Sequence, residues 1–149
     1  MQPDFIFSSE SVTAGHPDKL CDQISDALVD RYLRQDPRAR VVVESAISTG
    51  ILFVSIKARS TATVDAPAAA REVLRDVGYT GSSRGFDART CTVMTNLHEL
   101  PEELFARVDE EDLDDRAIER VTARDQATVF GFACSDTKLG MPLPIWLAH

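Results

Sequence analysis

Cysteine is scarce in this chain, and its few copies are far apart. The three cysteines are Cys21, Cys91 and Cys134, and an odd number at such spacing gives no sign of a disulfide framework. The sequence contains no CxxC pair and no Cys/His cluster with zinc-ligand spacing. We therefore expect three buried, reduced thiols in a cytoplasmic protein.

Long hydrophobic runs and an excess of positive charge are also missing. No apolar run approaches the roughly 20 residues of a membrane span, and the first residues lack the basic and apolar segments of a secretory signal. The net charge of −8 repels nucleic-acid phosphates. With 149 residues, 44% of them hydrophobic, we expect one compact unit over residues 1–149, with neither a membrane nor a nucleic acid as partner.

The standard glycine-rich nucleotide motifs are absent as well. The chain has no GxxxxGK[ST] loop, and Gly78, Gly81 and Gly85 do not match GxGxxG. Neither of these two motifs therefore supports nucleotide binding by this chain.

Hydrophobic periodicity predicts alternating strands and helices. Apolar residues recur at helical spacing from Pro17 to about Arg34, and Pro17 suits the first helical position because its missing N–H is not needed there. A turn at Thr49-Gly50 separates two β-rich runs, and Gly78 ends an alanine-rich helix. The expected strands cover residues 5–8, 41–48, 51–59, 90–97 and 128–134, and the expected helices cover 17–34 and 66–77, with a turn at 141–144 and a helix start at 145–149.

This pattern indicates an α+β fold, in which a mixed or antiparallel sheet carries helices packed on one face. Residues 99–124 differ from the rest because acidic side chains dominate much of this stretch. We interpret it as a mobile acidic loop, either a solvated loop or an exposed helix, and a mobile lid is the functional alternative.

The richest chemistry lies at the start of the first helix, in Gly15-His16-Pro17-Asp18-Lys19. The first N–H groups of a helix favour an anion, and His16 and Lys19 add donors and positive charge. Asp18 would oppose an anion unless a divalent cation lay between them, and magnesium binds one or two carboxylates together with phosphate oxygens. Asp22 and Asp26 share the helical face of Asp18 and are either further ligands or part of a polar surface.

Many short segments in this order resemble the S-adenosylmethionine synthetase (methionine adenosyltransferase) family. The resemblance is collinear, spans the whole chain and begins with the segments around the helix start. It rests on residues 9–12, 15–19, 22–27, 35–37, 40–41, 44, 49–50, 78–79, 85–87, 91, 125–126, 130–131, 141–145 and 148–149.

The resemblance implies a reaction between ATP and methionine, in which the sulfur attacks the ribose C5′ and the triphosphate leaves and is hydrolysed. His16 and Lys19 are then the expected catalytic residues, next to the leaving oxygen and the phosphates respectively. Asp18 is the expected Mg²⁺ ligand, and Glu10 is expected on the nucleotide side of the site. Cations that stabilise the leaving group supply the main catalytic effect in such chemistry.

The resemblance also implies a K⁺ ligand at Glu44 and a carboxylate at Asp125 beside the nucleoside and methionine. The amino-acid side departs from the family pattern. Lys57 occupies a place where relatives have a glutamate for the methionine ammonium, so the sign of the charge is inverted. Leu100 replaces a glutamine, and Thr122-Ala123-Arg124-Asp125-Gln126-Ala127 replaces a glycine-rich segment.

Relatives are longer, and by resemblance their sites form between two subunits and use residues from later segments. Several hypotheses therefore remain open. The chain is an ATP- and magnesium-binding part of an enzyme completed by a partner in a homo- or hetero-oligomer, a non-catalytic regulatory paralogue that associates with a full-length synthetase, or a truncation. A further hypothesis, compatible with the first, is that the enzyme adenosylates an amino acid other than methionine, with Lys57 binding that substrate.

Overall fold

The computed structural model describes residues 6–81, 86–100, 113–120 and 128–149. The chain divides into two compact units. The larger unit is Thr13–Ala106, and the smaller unit combines Met1–Val12 with Arg107–His149.

The larger unit contains the sheet and the two long helices. Its elements are α1 (Pro17–Gln35), β1 (Arg40–Ser48), β2 (Ile51–Arg59), α2 (Ala66–Asp76) and β3 (Thr92–Glu99). The described part of the smaller unit contains two short helices, α3 (Asp115–Ile118) and α4 (Leu143–Ala148).

The sheet has the order β1-β2-β3 and is mixed. β1 and β2 form an antiparallel hairpin, and Gly50 at its turn has φ +75°, a conformation that glycine adopts without strain. β2 and β3 run parallel, and α2 lies in the connection between them. The predicted α+β class, the two long helices and the three central strands are therefore confirmed, with ends shifted by at most two residues.

The core lies between one face of the sheet and helices α1 and α2. In β2, residues alternate between buried and more exposed, so the side facing the helices, called the inner face, differs from the exposed outer face. The buried side chains of α1 recur every four residues, as one helical face requires. The fully or nearly fully buried residues of these elements are Leu20, Ile24, Leu28, Tyr32, Leu52, Val54, Ile56, Ala58, Ala66, Ala69, Ala70 and Leu74.

Two predicted strands are wrong. Residues 6–8 and 128–134 have β-rich sequences, but they form no strand in the structure. Ile6 is 99% exposed and Phe130 is 89% exposed, so neither segment packs as half of a buried sheet does, and β-propensity without such packing is weak. The C-terminal helix begins at Leu143, inside the stretch predicted to be a turn, because Pro144 is tolerated in a first helical turn.

The cysteines are free, but only Cys91 is buried, whereas Cys21 and Cys134 are partly exposed. Within the described ranges, no helix is both long and apolar enough to cross a membrane.

Candidate functional site

The start of α1 is built around His16. The His16 N–H donates to the Thr13 carbonyl over 3.0 Å and closes a turn, and the Leu20 N–H donates to the His16 carbonyl over 2.9 Å. Pro17 is the first helical residue, as predicted. The His16 ring caps the helix, because its Nδ1 accepts a hydrogen bond from the Asp18 backbone N–H over 3.2 Å. Sequence reasoning assigned chemistry to His16 but missed this capping role.

The cap determines which ring nitrogen carries the proton in neutral His16. An acceptor needs a lone pair, so Nδ1 is unprotonated and Nε2 carries the hydrogen. The side chain is 42% exposed and therefore accessible to a ligand. His16 can thus hold the helix start through one nitrogen and donate a hydrogen bond through the other.

Asp18 and Lys19 are both exposed on the first turn of α1. The Asp18 carboxylate is 88% exposed and lies 3.9 Å from His16 Nδ1. With Nδ1 unprotonated, this contact is not an ion pair, and the carboxylate is free to bind a cation. The helix start therefore brings together an imidazole, a carboxylate and an ammonium that remain accessible to solvent.

Asp22 and Asp26 continue an exposed acidic face along α1, which also includes Asp30. Asp30 lies 4.0 Å from Arg34. Over the residues that the structure describes, no three His, Cys, Asp or Glu side chains are grouped so that they could hold a metal ion. The assignment of Asp22 and Asp26, either to further ligands or to a polar surface, stays a prediction.

Glu44 and Lys57 lie together on the outer face of the sheet. Glu44 pairs with Ser55, and Lys57 pairs with Val42, so Lys57 is a diagonal neighbour of Glu44. Such neighbours are about 7–8 Å apart, within reach of long side chains. His98 of β3 is in register with Lys57 and is exposed, so a second basic side chain lies beside Lys57.

The helix start and this outer-face pair are on opposite sides of the sheet. Helix α1 packs on the inner face, where Ser25 Oγ lies 3.0 Å from Ser45 Oγ. The start of α1 points to the hairpin end of the sheet, because the Cys21 thiol hydrogen-bonds the backbone of Ile47, near the hairpin turn. Burial raises the pKa of this thiol, and the bond to Ile47 partly offsets that rise. Lys57 is six residues along β2 from the hairpin turn, or about 20 Å.

Within one copy of the chain, the larger unit therefore does not bring all the predicted site residues together. His16, Asp18 and Lys19 form one group at the start of α1. Glu44 and Lys57 form a second group on the other side of the sheet.

The remaining predicted residues lie elsewhere. Leu100 follows β3, is partly buried, and its N–H donates to the Ala58 carbonyl over 2.9 Å. Glu10 is exposed in the smaller unit, where the neighbouring Ser11 Oγ lies 2.8 Å from His149 Nδ1. Asp125 and Arg124 are outside the described residues, as is most of the acidic segment 99–124.

Sequence reasoning missed one residue beside the helix start. Tyr79 donates its hydroxyl hydrogen bond to the Gly15 carbonyl over 2.6 Å. Nothing in the local sequence predicts this bond, because residues 15 and 79 are far apart along the chain. The available signals are the aromatic hydroxyl immediately after the glycine that ends α2 and the presence of residues 78–79 among the segments that resemble the family.

Comparison with known families gives two collinear matches. The N-terminal domain of S-adenosylmethionine synthetase matches residues 4–101, and the central domain of the same enzyme matches residues 120–149. The first match alone covers more than half of the chain and contains α1, the sheet and α2. The chain therefore belongs to the S-adenosylmethionine synthetase family.

Proposed function

We propose that this chain forms one side of an adenosyl-transfer site that takes ATP with Mg²⁺ and methionine or a related amino acid, and that a partner chain completes the site. The observation that carries the proposal is the family match over residues 4–101, which includes the accessible His16, Asp18 and Lys19. In the reaction, a sulfur–C5′ bond forms while the C5′–oxygen bond to the triphosphate breaks.

The start of α1 suits the leaving triphosphate. Helix N–H groups and the Lys19 ammonium favour negative charge, and the His16 Nε2–H can donate a hydrogen bond to the oxygen that leaves C5′. Donors that are already in place when charge develops are the most effective kind of transition-state stabilisation. These roles make His16 and Lys19 the proposed catalytic residues.

The donor types also suit the family's two cations. Magnesium binds through one or two carboxylates plus phosphate oxygens and waters rather than through an all-protein cage, so the exposed Asp18 carboxylate fits it. The carboxylate of Glu44 is also exposed and offers oxygen atoms to K⁺. When bound, these cations supply positive charge that balances the triphosphate.

Two features support a partner chain. Glu44 and Lys57 lie on the sheet face opposite the helix start, so both groups can serve one site only if another copy or another chain brings them together. The outer face also exposes apolar side chains, including Val42 at 58% and Met94 at 53%. Phe53 lies in register between Ala46 and Met94, and contiguous apolar surface of this kind commonly marks an interface. The proposed assembly is a homo- or hetero-oligomer.

Lys57 and His98 support a changed amino-acid preference. An ammonium at Lys57 repels the substrate ammonium that a glutamate would attract, and it attracts a carboxylate instead. A related amino acid with an additional carboxylate is therefore a better match to this surface than methionine.

The alternative function is that of a non-catalytic paralogue that binds a full-length synthetase. The observation in its favour is again Lys57, since an inverted charge at the amino-acid position lowers affinity for methionine. This form would bind a synthetase through the outer face without turning over ATP.

A binding and turnover experiment tests the proposal. MgATP binding is measured by calorimetry for the unaltered chain, Asp18→Asn and Asp30→Asn, with and without a full-length synthetase from the same cell. Asp30 is a matched control because it lies on the same exposed face, three turns away. We expect at least about tenfold weaker binding for Asp18→Asn only, since a lost charged contact typically costs about 1.5–3 kcal/mol.

Triphosphate release is then followed with candidate amino acids. Equal MgATP affinity in the Asp18→Asn and unaltered chains would contradict the magnesium assignment. Association with the synthetase without triphosphate release in any mixture would favour the non-catalytic paralogue.

A further inference from the structure

The end of α2 places Tyr79 in a defined position. Gly78 has φ +103°, its N–H donates to the Arg75 carbonyl, and the next N–H, from Tyr79, donates to the Leu74 carbonyl over 2.9 Å. These two bonds form a Schellman motif, which ends the helix and directs the following residue. The position of Tyr79 is thus fixed by the end of a helix that is itself part of the core.

The carbonyl and the ring of Tyr79 are also held in place by neighbouring residues. Its carbonyl accepts a hydrogen bond from the Ala88 N–H over 2.8 Å. Its ring packs edge-on against Phe86, with centroids 5.5 Å apart and planes at 88°, a favourable geometry for an aromatic pair. The hydroxyl of a side chain held in this way has little freedom to move away from its acceptor.

That acceptor is the carbonyl of Gly15, which belongs to the peptide group joining Gly15 to His16. The N–H of the same peptide group donates to the Thr13 carbonyl over 3.0 Å. Both polar ends of this peptide are therefore hydrogen-bonded, one by the local turn and the other by Tyr79 over 2.6 Å. The orientation of this peptide determines where the chain enters α1 and hence the direction of the His16 ring.

We propose that Tyr79 is a positioning residue for the adenosyl-transfer site, acting through the Gly15 carbonyl to hold His16, Asp18 and Lys19 in the arrangement that binds MgATP. This inference rests on the function proposed above. Tyr79 does not touch the nucleotide; its hydroxyl reduces the freedom of the turn that precedes the binding groups. Removing the hydroxyl leaves the fold intact and loosens the start of α1.

Tyr79→Phe tests the proposal, with Tyr32→Phe as a matched control. Tyr32 is the chain's other tyrosine, and it is buried in α1 far from the helix start. Amide hydrogen exchange of the full chain without ligand is the first measurement. We expect faster exchange in residues 13–20 of Tyr79→Phe, unchanged exchange in β1 and β2, and no change in residues 13–20 of Tyr32→Phe.

MgATP binding is the second measurement. Loss of one hydrogen bond of ordinary net strength predicts about two- to tenfold weaker binding for Tyr79→Phe. Tyr32→Phe should leave the affinity unchanged even if its melting temperature falls. Gly78→Ala, which strains the residue that directs Tyr79, should loosen residues 13–20 in the same way.

The two measurements separate this inference from the proposed function. Unchanged exchange of residues 13–20 in Tyr79→Phe would overturn the positioning role, whatever the binding result. Faster exchange with unaltered MgATP affinity would overturn it too, because the hydroxyl would then stabilise the turn without serving the site. If the unaltered chain and its partner complex bind no MgATP, the proposed function fails and the positioning role fails with it, whereas the first two outcomes leave that function standing.

Discussion

Two substitutions at His16 separate its structural role from its chemical one. His16→Ala removes the ring that accepts the Asp18 N–H, so the helix loses its cap. His16→Asn supplies an oxygen that can accept the same bond, and asparagine is among the strongest N-cap residues. The extended backbone of His16, with φ −65° and ψ 138°, suits either replacement before Pro17.

The expected stability difference follows from the cap. Loss of an N-cap side chain costs about 0.5–2 kcal/mol, typically about 1 kcal/mol. In a domain the size of the larger unit, 1 kcal/mol lowers the melting temperature by about 4–8 °C. Thermal unfolding followed by circular dichroism should therefore show His16→Ala clearly below the unaltered chain and His16→Asn close to it.

The activity should rank differently. Neither variant retains the Nε2–H donor, so both should lose the same stabilisation of the leaving oxygen. A hydrogen bond to a charged group contributes about 1.5–3 kcal/mol, which corresponds to about a 10- to 150-fold loss of triphosphate release in the partner complex. Equal stability of the Ala and Asn variants would refute the cap, and a fully active Asn variant would refute the donor role of Nε2.

Three further predictions concern the core, a buried carboxylate and the outer face. Leu28→Ala should lower the free energy of unfolding by about 2–5 kcal/mol in a urea titration, because Leu28 is fully buried, whereas Leu33→Ala on the exposed side of α1 should change it by less than about 0.5 kcal/mol. Hydrogen bonds from Arg89 lower the pKa of Asp87 from 3.8 to about 2, so Asp87 stabilises the fold above pH 4 and this contribution is lost as the pH falls towards 2. Asp87→Asn should therefore flatten the dependence of the unfolding free energy on pH between about 4 and about 2, and an unchanged pH dependence would contradict the pairing. Lys57→Glu should shift the preference of the partner complex towards methionine in a competition assay, and an unchanged preference would show that Lys57 only extends into solvent.

The larger unit could be predicted from the sequence because its signals are local. Residues spaced four apart define α1, and alternation with a glycine turn defines the β1–β2 hairpin. Gly78 ends α2 because it adopts a positive φ, which glycine tolerates. The strands predicted at residues 6–8 and 128–134 fail because a strand depends on packing and pairing with distant segments, which local β-propensity does not contain.

The candidate site shows the same division. A proline at the first helical position makes the residue before it, His16, the N-cap. This could have been predicted from the sequence but was not. The Tyr79 bond to Gly15 could not be predicted, since it depends on the relative position of two helices. The separation of Lys57 from His16 likewise required the structure, because Lys57 lies on the outer face of β2 whereas α1 packs on the inner face of the sheet.

The parallel pairing of β3 with β2 has a consequence for how the chain folds. The β1–β2 hairpin is closed by a two-residue turn, so its contacts cost little loop entropy. β3 pairs with β2 across the intervening residues 60–91, which include α2, and contacts this distant form slowly. During synthesis, the residues of α1 and the hairpin are made before those of β3, and until β3 pairs, one edge of β2 is open to pairing with another chain.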